Sequence, residues 1–170
     1  MTEQEAGQLL ALPDKRVIRR FAWTLEASGH LPKRSLFESG IQSGAEVLEG
    51  LTFRVHYRGP KQIVRGSASV EVPESFSCAL FAGHDRIAAI DTNPGQVHPN
   101  RVGVGRPYYR QTIVSTTHRH VWTGEYGYVE PIEPALLEIS TLVRFFAKEC
   151  NLTFEGFVED PRKGEQGSLL

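Results

Sequence analysis

The chain has 170 residues, of which 40% are hydrophobic and 23% charged, and its formal net charge is −1 at pH 7. This length suits one domain with a hydrophobic core, and the near-neutral charge excludes binding of nucleic acid over the whole surface, although it allows a local basic groove. Cys78 and Cys150 are too few for a disulfide scaffold and lack C-x-x-C spacing. Without an apolar targeting segment or a run of about 20 apolar residues, we expect a cytoplasmic protein with no membrane partner.

The N-terminal part of the chain is predicted to begin with a short helix. Thr2 and Glu5 have the spacing of a capping box, which predicts a helix that ends before Pro13. Residues 15–27, basic and then apolar, fit either a helix or a strand. Residues 28–50 contain several glycines and no clear period, so we interpret them as a long connection with no more than one short element.

Strands are predicted to dominate the middle of the chain, because apolar and polar side chains alternate there with a period of two. The predicted strands are residues 51–58, 62–72, 76–80, 87–91 and 111–122. Residues 83–85 form a predicted hairpin turn. Residues 92–107, rich in Gly, Pro and Asn, form a loop long enough to suggest a functional role.

The C-terminal part is predicted to contain a second helix. Glu133-Pro134 is a favourable helix start, with an acid at the cap and proline in the first turn. The apolar stripe that follows has helical spacing and comprises Leu136, Ile139, Val143, Phe146 and Cys150. We therefore expect an α+β fold, an antiparallel β-sheet of four to six strands with an N-terminal helix and a C-terminal helix packed on one face. Residues 1–158 would form a single domain and residues 159–170 a flexible polar tail.

Two histidines on one predicted strand mark the candidate site. Strand alternation directs His118 and His120 to one face and Arg119 to the other. Two imidazoles about 7 Å apart on a strand can divide the roles of acid and base or share a metal. Asp91 could hold one imidazole in a single tautomer, and His98 would be the third imidazole of the site.

Cations and aromatic side chains surround these histidines in the sequence. Cleavage of a phosphodiester by the 2′-hydroxyl of RNA needs an acid, a base and a cation against the phosphate, and tyrosines can stack on an unpaired base. The candidate substrate-binding residues are Arg101, Arg106, Arg110, Arg119, Tyr108 and Tyr109.

The order Asp91, a proline-containing turn, His98-Pro99-Asn100 and then His118-x-His120 resembles a motif in small uncharacterised proteins of phages and mobile elements. It is similar, more distantly, to the TumE-type toxins of toxin–antitoxin pairs, which carry Asp-Asn-x-Pro-His-His and then Pro-His-His-Lys-His. Here the first doubled histidine is single, the prolines before the histidines are missing, and Arg119 replaces the lysine. The resemblance implies a mobile-element setting and, for the toxin branch, an RNA target.

Our first hypothesis is a mobile-element protein that acts on RNA, in its enzymatic form a metal-independent endoribonuclease that needs no cofactor. His118 and His120 would be the acid–base pair, His98 the third member of the site, and Asp91 the group that orients one imidazole. Arg119 or Arg101 would stabilise the charge that develops on the phosphorus oxygens.

Two alternatives remain open from the sequence. The protein could be a non-catalytic interaction protein, such as an antitoxin-like or anti-defence factor, with a structural histidine cluster and a protein partner bound by the acidic segment Glu133–Glu165. It could also be a metal-binding, cupin-like protein, because His118-x-His120 followed after four residues by Glu125 resembles the first cupin motif. No second cupin motif follows it.

Overall fold

The computed structural model describes residues 1–26 and 34–164, which form an α+β fold. Within these residues the two α-helices are α1 (Glu3–Ala11) and α2 (Ile139–Glu149). The strands are β1 (Lys15–Val17), β2 (Thr24–Leu25), β3 (Arg34–Ser43), β4 (Glu46–Arg58), β5 (Lys61–Arg65), β6 (Ala68–Val72), β7 (Ser75–Ala82), β8 (Asp85–Thr92), β9 (His98–Pro99), β10 (Thr112–Ile113), β11 (Thr117–Val121), β12 (Tyr128–Pro131) and β13 (Leu152–Thr153). Neither of the helices in this part of the chain has the length and apolar character needed to cross a membrane.

Nine strands form one mixed sheet in the order β12-β11-β8-β7-β4-β3-β1-β13, with β2 paired to β3. β1 and β13 are parallel, whereas the other neighbouring pairs are antiparallel. Two separate ribbons, β5–β6 and β9–β10, lie outside this sheet. The predicted α+β class is confirmed, but the predicted count of four to six strands is wrong.

Several strands were not predicted because apolar and polar residues do not alternate clearly in their sequences. β3 alternates buried and half-buried side chains, but its register with β4 shifts at Gly40, and Gly44 takes a positive φ of 58° in the turn that follows. These glycines made the segment resemble a loop, so the prediction of a long connection is wrong over residues 34–50, and residues 28–33 lie outside the described residues. β1 and β2 are three and two residues long, too short to show alternation.

The predicted N-terminal helix is confirmed, together with its capping box. The Glu5 backbone N–H donates to Thr2 Oγ1 at 3.2 Å, and the Thr2 backbone N–H donates to Glu5 Oε2 at 2.7 Å. The helix ends at Ala11, before Pro13, and contributes Ala6 to the hydrophobic core.

The core lies between α2 and one face of the main sheet, which we call the inner face. The Phe53 ring of β4 stacks on Phe146 of α2 with their centroids 6.1 Å apart. Other inner-face side chains come from neighbouring strands and are fully or almost fully buried, namely Phe37, Val55, Cys78, Leu80 and Ile90. The opposite face, the outer face, is not covered by α2 and carries the polar side chains that alternate with these.

The second helix begins later than predicted. The stripe residues Ile139, Val143 and Phe146 are buried as expected, but the helix starts at Ile139 and not at Glu133-Pro134, whose peptide bond is cis. The preceding segment bonds to the sheet instead, because the Leu136 N–H donates to Thr117 Oγ1 and the Leu136 carbonyl accepts from the hydroxyl of Thr92. These two bonds replace the helical hydrogen bonds that an earlier start would require.

The predicted strand over 111–122 is divided into two. Its first part, β10, pairs with β9 in a ribbon, and its second part, β11, joins the main sheet between β8 and β12. The predicted loop over 92–107 is therefore partly ordered, since β9 begins at His98. This ribbon brings His98 next to the strand that carries the other two histidines.

Two further segments differ from their predicted form. Residues 62–72 are not one strand but the hairpin β5–β6, which turns at Gly66 with a positive φ of 61°. At the start of the predicted tail, Pro161–Gly164 forms a short 3-10 helix, and Arg162 makes ion pairs with Asp160, Glu74 and Glu138. The rest of that tail, residues 165–170, lies outside the described residues.

Candidate functional site

Three histidines meet on the outer face of the sheet. The register places His118 opposite Asp91 and His120 opposite Ala89, so both histidines share the face that Asp91 occupies. Their ring centroids are 5.1 Å apart, and the ring of His98 lies 5.9 Å from His118 and 5.5 Å from His120. Four residues that the sequence singled out, from β8, β9 and β11, are thus brought together.

Asp91 is held by two partners. Its Oδ2 atom lies 2.9 Å from His120 Nε2, and its two oxygens accept from the guanidinium of Arg86 at 2.5 and 3.1 Å. Burial alone raises the pKa of the Asp91 carboxyl, but the hydrogen bond from His120 and the charge of Arg86 outweigh it, so the pKa lies well below its usual range. Asp91 is therefore an anion at neutral pH although it is buried.

Both strand histidines have a lowered pKa, which favours their neutral forms at pH 7. Burial, assisted by the neighbouring His120, lowers the pKa of His118 to about 4. Burial also lowers the pKa of His120, although the hydrogen bond with Asp91 opposes the shift. Because an ionised carboxylate only accepts hydrogen bonds, the neutral His120 ring carries its proton on Nε2 and leaves Nδ1 with a lone pair.

Arg86 connects Asp91 to the rest of the site. Its guanidinium donates to Ser77 Oγ at 2.8 Å and to the Tyr126 hydroxyl at 3.0 Å, in addition to the carboxylate. Tyr126 in turn stacks on the His120 ring, with centroids 5.2 Å apart and an interplanar angle of 8°. The orientation of His120 is thus fixed by a hydrogen bond at its edge and by a ring on its face.

These histidines line a cleft of about 460 Å³, which we call the histidine cleft. Arg58 at the end of β4 and Lys61 at the start of β5 place two cations on its wall. Asp91 and Tyr126 also line it, and the other lining residues are amides or apolar side chains, namely Asn93, Gln96, Ile63, Val72 and Val97. A small anionic ligand would find imidazoles, amides and cations within one space.

Two buried nitrogen atoms of this cleft lack a hydrogen-bond partner. Among the residues that the structure describes, the buried side-chain nitrogen and oxygen atoms without a partner are Arg58 Nε and His120 Nδ1. Both residues line the histidine cleft. A buried polar atom without a partner is costly, so these two atoms mark Arg58 and His120 as the residues of the cleft whose hydrogen bonding is incomplete.

Sequence analysis missed Arg58, Lys61, Arg86 and Tyr126. Arg58 is the last of the polar residues that alternate along the predicted strand 51–58. Which residues lie beside it in the sheet is decided by long-range strand pairing, which the sequence does not show. Arg86 reaches the outer face because the register of β7 with β8 shifts between Leu80 and Phe81. The position of Arg58 on the polar side of its strand was the one sequence signal for these residues.

The candidate substrate-binding residues lie elsewhere. Arg119 extends from the inner face and pairs with Glu149 of α2 at 2.9 Å, so it cannot serve the histidine cleft. Arg106 pairs with Glu3 of α1, and Arg110 lies over the ring of Tyr109 at 5.2 Å. The described lining of the cleft includes none of the candidates Arg101, Arg106, Arg110, Tyr108 and Tyr109.

Asn100, which belongs to the motif of the resemblance, has a structural contact. Its side-chain NH₂ donates to the Val129 carbonyl at 2.8 Å, and its side-chain oxygen accepts from the Val129 N–H at 2.8 Å. His98 is fixed nearby, with its Nε2 2.9 Å from the Gly127 carbonyl oxygen. These bonds attach the β9–β10 ribbon to β12 and hold His98 over the cleft.

Part of the site has the composition of a metal centre. Asp91, His118 and His120 each offer a ligand atom, and these atoms all lie within 4.8 Å of one another. Two imidazoles and a carboxylate suit zinc or iron. The carboxylate, however, already binds Arg86 through both oxygens, which leaves it less available to a metal ion.

The fold and the site together define an α+β protein with a histidine–aspartate cleft on the open face of its sheet. No protein-family model matches the chain, and no curated protein or solved structure matches it.

Proposed function

We propose that the protein is a metal-independent endoribonuclease that cleaves RNA in the histidine cleft. The observation that carries the proposal is the Asp91–His120 pair, which lines the same cleft as Arg58 and Lys61 and leaves His120 Nδ1 without a hydrogen-bond partner. A carboxylate that fixes the tautomer of an imidazole and stabilises its protonated form is the arrangement of a general base. The mobile-element setting is proposed from the sequence resemblance, which also favours RNA as the target.

The roles of the residues follow from their environments. His120 Nδ1 takes the proton of the 2′-hydroxyl, the 2′-oxygen attacks phosphorus, and Asp91 stabilises the imidazolium that forms. His118 is a weak candidate for the acid, since its pKa is about 4. We assign the acid to His98, which is half-buried in the same cleft and whose ring centroid lies 5.5 Å from that of His120.

The remaining steps balance the reaction. His98 gives its proton to the 5′-oxygen as the bond between that oxygen and phosphorus breaks. The products are a 2′,3′-cyclic phosphate and a 5′-hydroxyl. Arg58 and Lys61 contact the non-bridging oxygens, where charge increases in the transition state.

The test is cleavage of oligoribonucleotides by the purified protein in the presence of EDTA. We expect His120→Ala to reduce the rate by at least about a hundredfold, the lower range for general acid–base catalysis. His84→Ala is the matched control, because His84 is exposed in the turn between β7 and β8 and should leave the rate unchanged. A single 2′-deoxy substitution at the scissile position should block cleavage.

Either of two results would contradict the proposed reaction. If the wild type leaves RNA pools of mixed sequence intact, or if His120→Ala cleaves as fast as His84→Ala, the proposal is wrong. Melting curves of both variants separate loss of the reaction from loss of the fold. A large fall in the melting temperature of His120→Ala with no cleavage by the wild type would instead support a structural cluster, as the interaction-protein hypothesis requires.

A second candidate function, metal-dependent hydrolysis at the same cleft, is favoured by the proximity of Asp91, His118 and His120. These three residues would hold the ion, which would supply a nucleophilic water in place of the 2′-hydroxyl. This candidate predicts stoichiometric zinc or iron in the purified protein, inhibition by EDTA, and cleavage of 2′-deoxy substrates. The metal-free reaction predicts no inhibition by EDTA and no cleavage of 2′-deoxy substrates.

A further inference from the structure

We infer that the histidine cleft continues as a groove over the outer face of the sheet, and that this groove binds single-stranded RNA beside the scissile phosphate. The inference rests on the proposed cleavage of RNA and identifies the residues that hold the rest of the strand. The residues that define the groove are Arg34, Arg54, His56, Arg58 and Ser77.

The pairing of the strands places these residues in line with the catalytic candidates. One cross-strand row runs from His120 through Ala89 and Ala79 to Arg54. Because neighbouring strands lie about 4.8 Å apart, Arg54 is about 14 Å from His120 across the sheet.

A parallel row leads from the other strand histidine in the same direction. It runs from His118 through Asp91 and Ser77 to His56. Between the ends of the rows lie three small side chains, Ser77, Ala79 and Ala89, together with Asp91 and the guanidinium of Arg86 that it binds.

The cavities along these rows share their walls. The histidine cleft adjoins a cavity of about 170 Å³, and Arg58, Asp91 and Asn93 line both. That cavity adjoins a third, of about 260 Å³, through His56, Ser77 and Asp91. The three spaces therefore form one path, and Arg58 lies at its first junction.

The charge of this path differs from that of the whole chain. Its described lining includes five arginine and lysine side chains, Arg34, Arg54, Arg58, Lys61 and Arg86. Asp91 is the one acid among the described lining residues, and it is neutralised by Arg86. Glu26 and Glu38 lie beside the path as partners of Arg34 and Arg54, so the excess of positive charge that could attract a polyanion comes from Arg58 and Lys61.

The cations far from the cleft can exchange their present partners for phosphate. Arg54 pairs with Glu38 at 2.6 Å and Arg34 with Glu26 at 3.8 Å, and these side chains are between 34% and 51% exposed. Ion pairs with this exposure are weak, so phosphate can compete for the guanidinium groups. At Arg58 Nε, which lacks a hydrogen-bond partner, phosphate would displace no carboxylate.

Two aromatic rings favour a single nucleic-acid strand over an acidic peptide. Tyr126 is 50% exposed at the histidine cleft, and Phe81 lines the far cavity beneath the guanidinium of Arg54 at 4.6 Å. Cations combined with aromatic faces are the usual means of binding an unpaired strand, since each base offers a face for stacking. A peptide of glutamates would use the cations but not the rings.

Binding of 2′-O-methyl oligonucleotides, which lack the attacking hydroxyl, tests the groove without cleavage. Fluorescence anisotropy of the wild-type protein should show an affinity that rises from about three to about nine nucleotides. The double variant Arg34→Gln/Arg54→Gln should bind the longer strand about tenfold more weakly and lose most of this gain. Its affinity should also depend less steeply on salt.

Arg144→Gln, the same change of charge on the exposed side of α2, is the matched control and should bind like the wild type. Arg34→Gln/Arg54→Lys, which restores one positive charge to the double variant, should recover part of the affinity, and this separates loss of charge from local misfolding. Any one of three results would contradict the groove. The first is an equal loss of affinity in the double variant and in Arg144→Gln, and the second is an affinity that does not depend on the length of the strand. The third is displacement of the bound oligonucleotide by polyglutamate as readily as by RNA. Length-dependent binding through Arg34 and Arg54 without cleavage of ordinary RNA would instead uphold the groove and overturn the proposed reaction.

Discussion

The two faces of the main sheet are built from alternating residues of the same strands, yet they have opposite chemistry. On the inner face, Phe53, Cys78 and Ile90 exclude water and pack against α2. On the outer face, Asp91 and His118 are nearly as buried but are polar. The comparison shows that burial alone does not distinguish core from site, whereas the partners of the buried groups do.

The largest expected effect is on stability, and it is measured by removing one phenylalanine ring from each face of the sheet. Phe53→Ala removes a fully buried ring and should lower the free energy of unfolding by about 4 kcal/mol. Phe81→Ala removes a half-buried ring on the outer face and should cost about 1 kcal/mol. Urea denaturation of both variants measures the difference, and equal losses would contradict the division between the faces.

A somewhat smaller effect is expected from the buried ion pair of the outer face. Arg86→Met leaves the Asp91 carboxylate buried without its cation and should lower the free energy of unfolding by about 3 kcal/mol. The double variant Arg86→Met/Asp91→Asn should be less destabilised than Arg86→Met, because the unpaired charge is removed as well. A double-mutant cycle by chemical denaturation checks this, and strictly additive losses would show that the pair does not couple.

The smallest of the three effects is a dependence of stability on pH. The pKa of His118 falls from about 6.5 in the unfolded chain to about 4 in the folded protein, so between these values only the unfolded chain binds the proton. The free energy of unfolding should therefore fall by about 2.5 kcal/mol as the pH drops from 6.5 to 4, with a further contribution of the same sign from His120. Denaturation at several pH values should show a shallower slope for His118→Asn, and an unchanged slope would exclude His118 as the source.

The sequence predicted those features that depend on local pattern. The alternation around His118 correctly assigned the two histidines to one face and Arg119 to the other, and the Thr2–Glu5 spacing identified the first helix. The strand from residue 51 to 58 was recognised because its period is undisturbed. These features need no knowledge of distant partners.

The features that escaped prediction depend on contacts between distant residues. Arg106 was expected near the phosphate, but it pairs with Glu3, 103 positions earlier in the chain. Arg58 and Lys61 reach the histidine cleft through the pairing of β4, β7, β8 and β11. The start of α2 was misplaced because the hydroxyl groups of Thr92 and Thr117 bind the segment before it.

The two hydrogen bonds between the Asn100 side chain and the Val129 backbone also determine how the sheet ends at β12. A nine-stranded sheet has two open borders, and an unpaired backbone at a border is a template on which another molecule can add a strand and begin to aggregate. At β12 the amide of Asn100 occupies both hydrogen-bonding positions of Val129, as the backbone of a further strand would, and the strand ends two residues later at Pro131. One side chain thus protects the border nearest the histidine cleft from self-association.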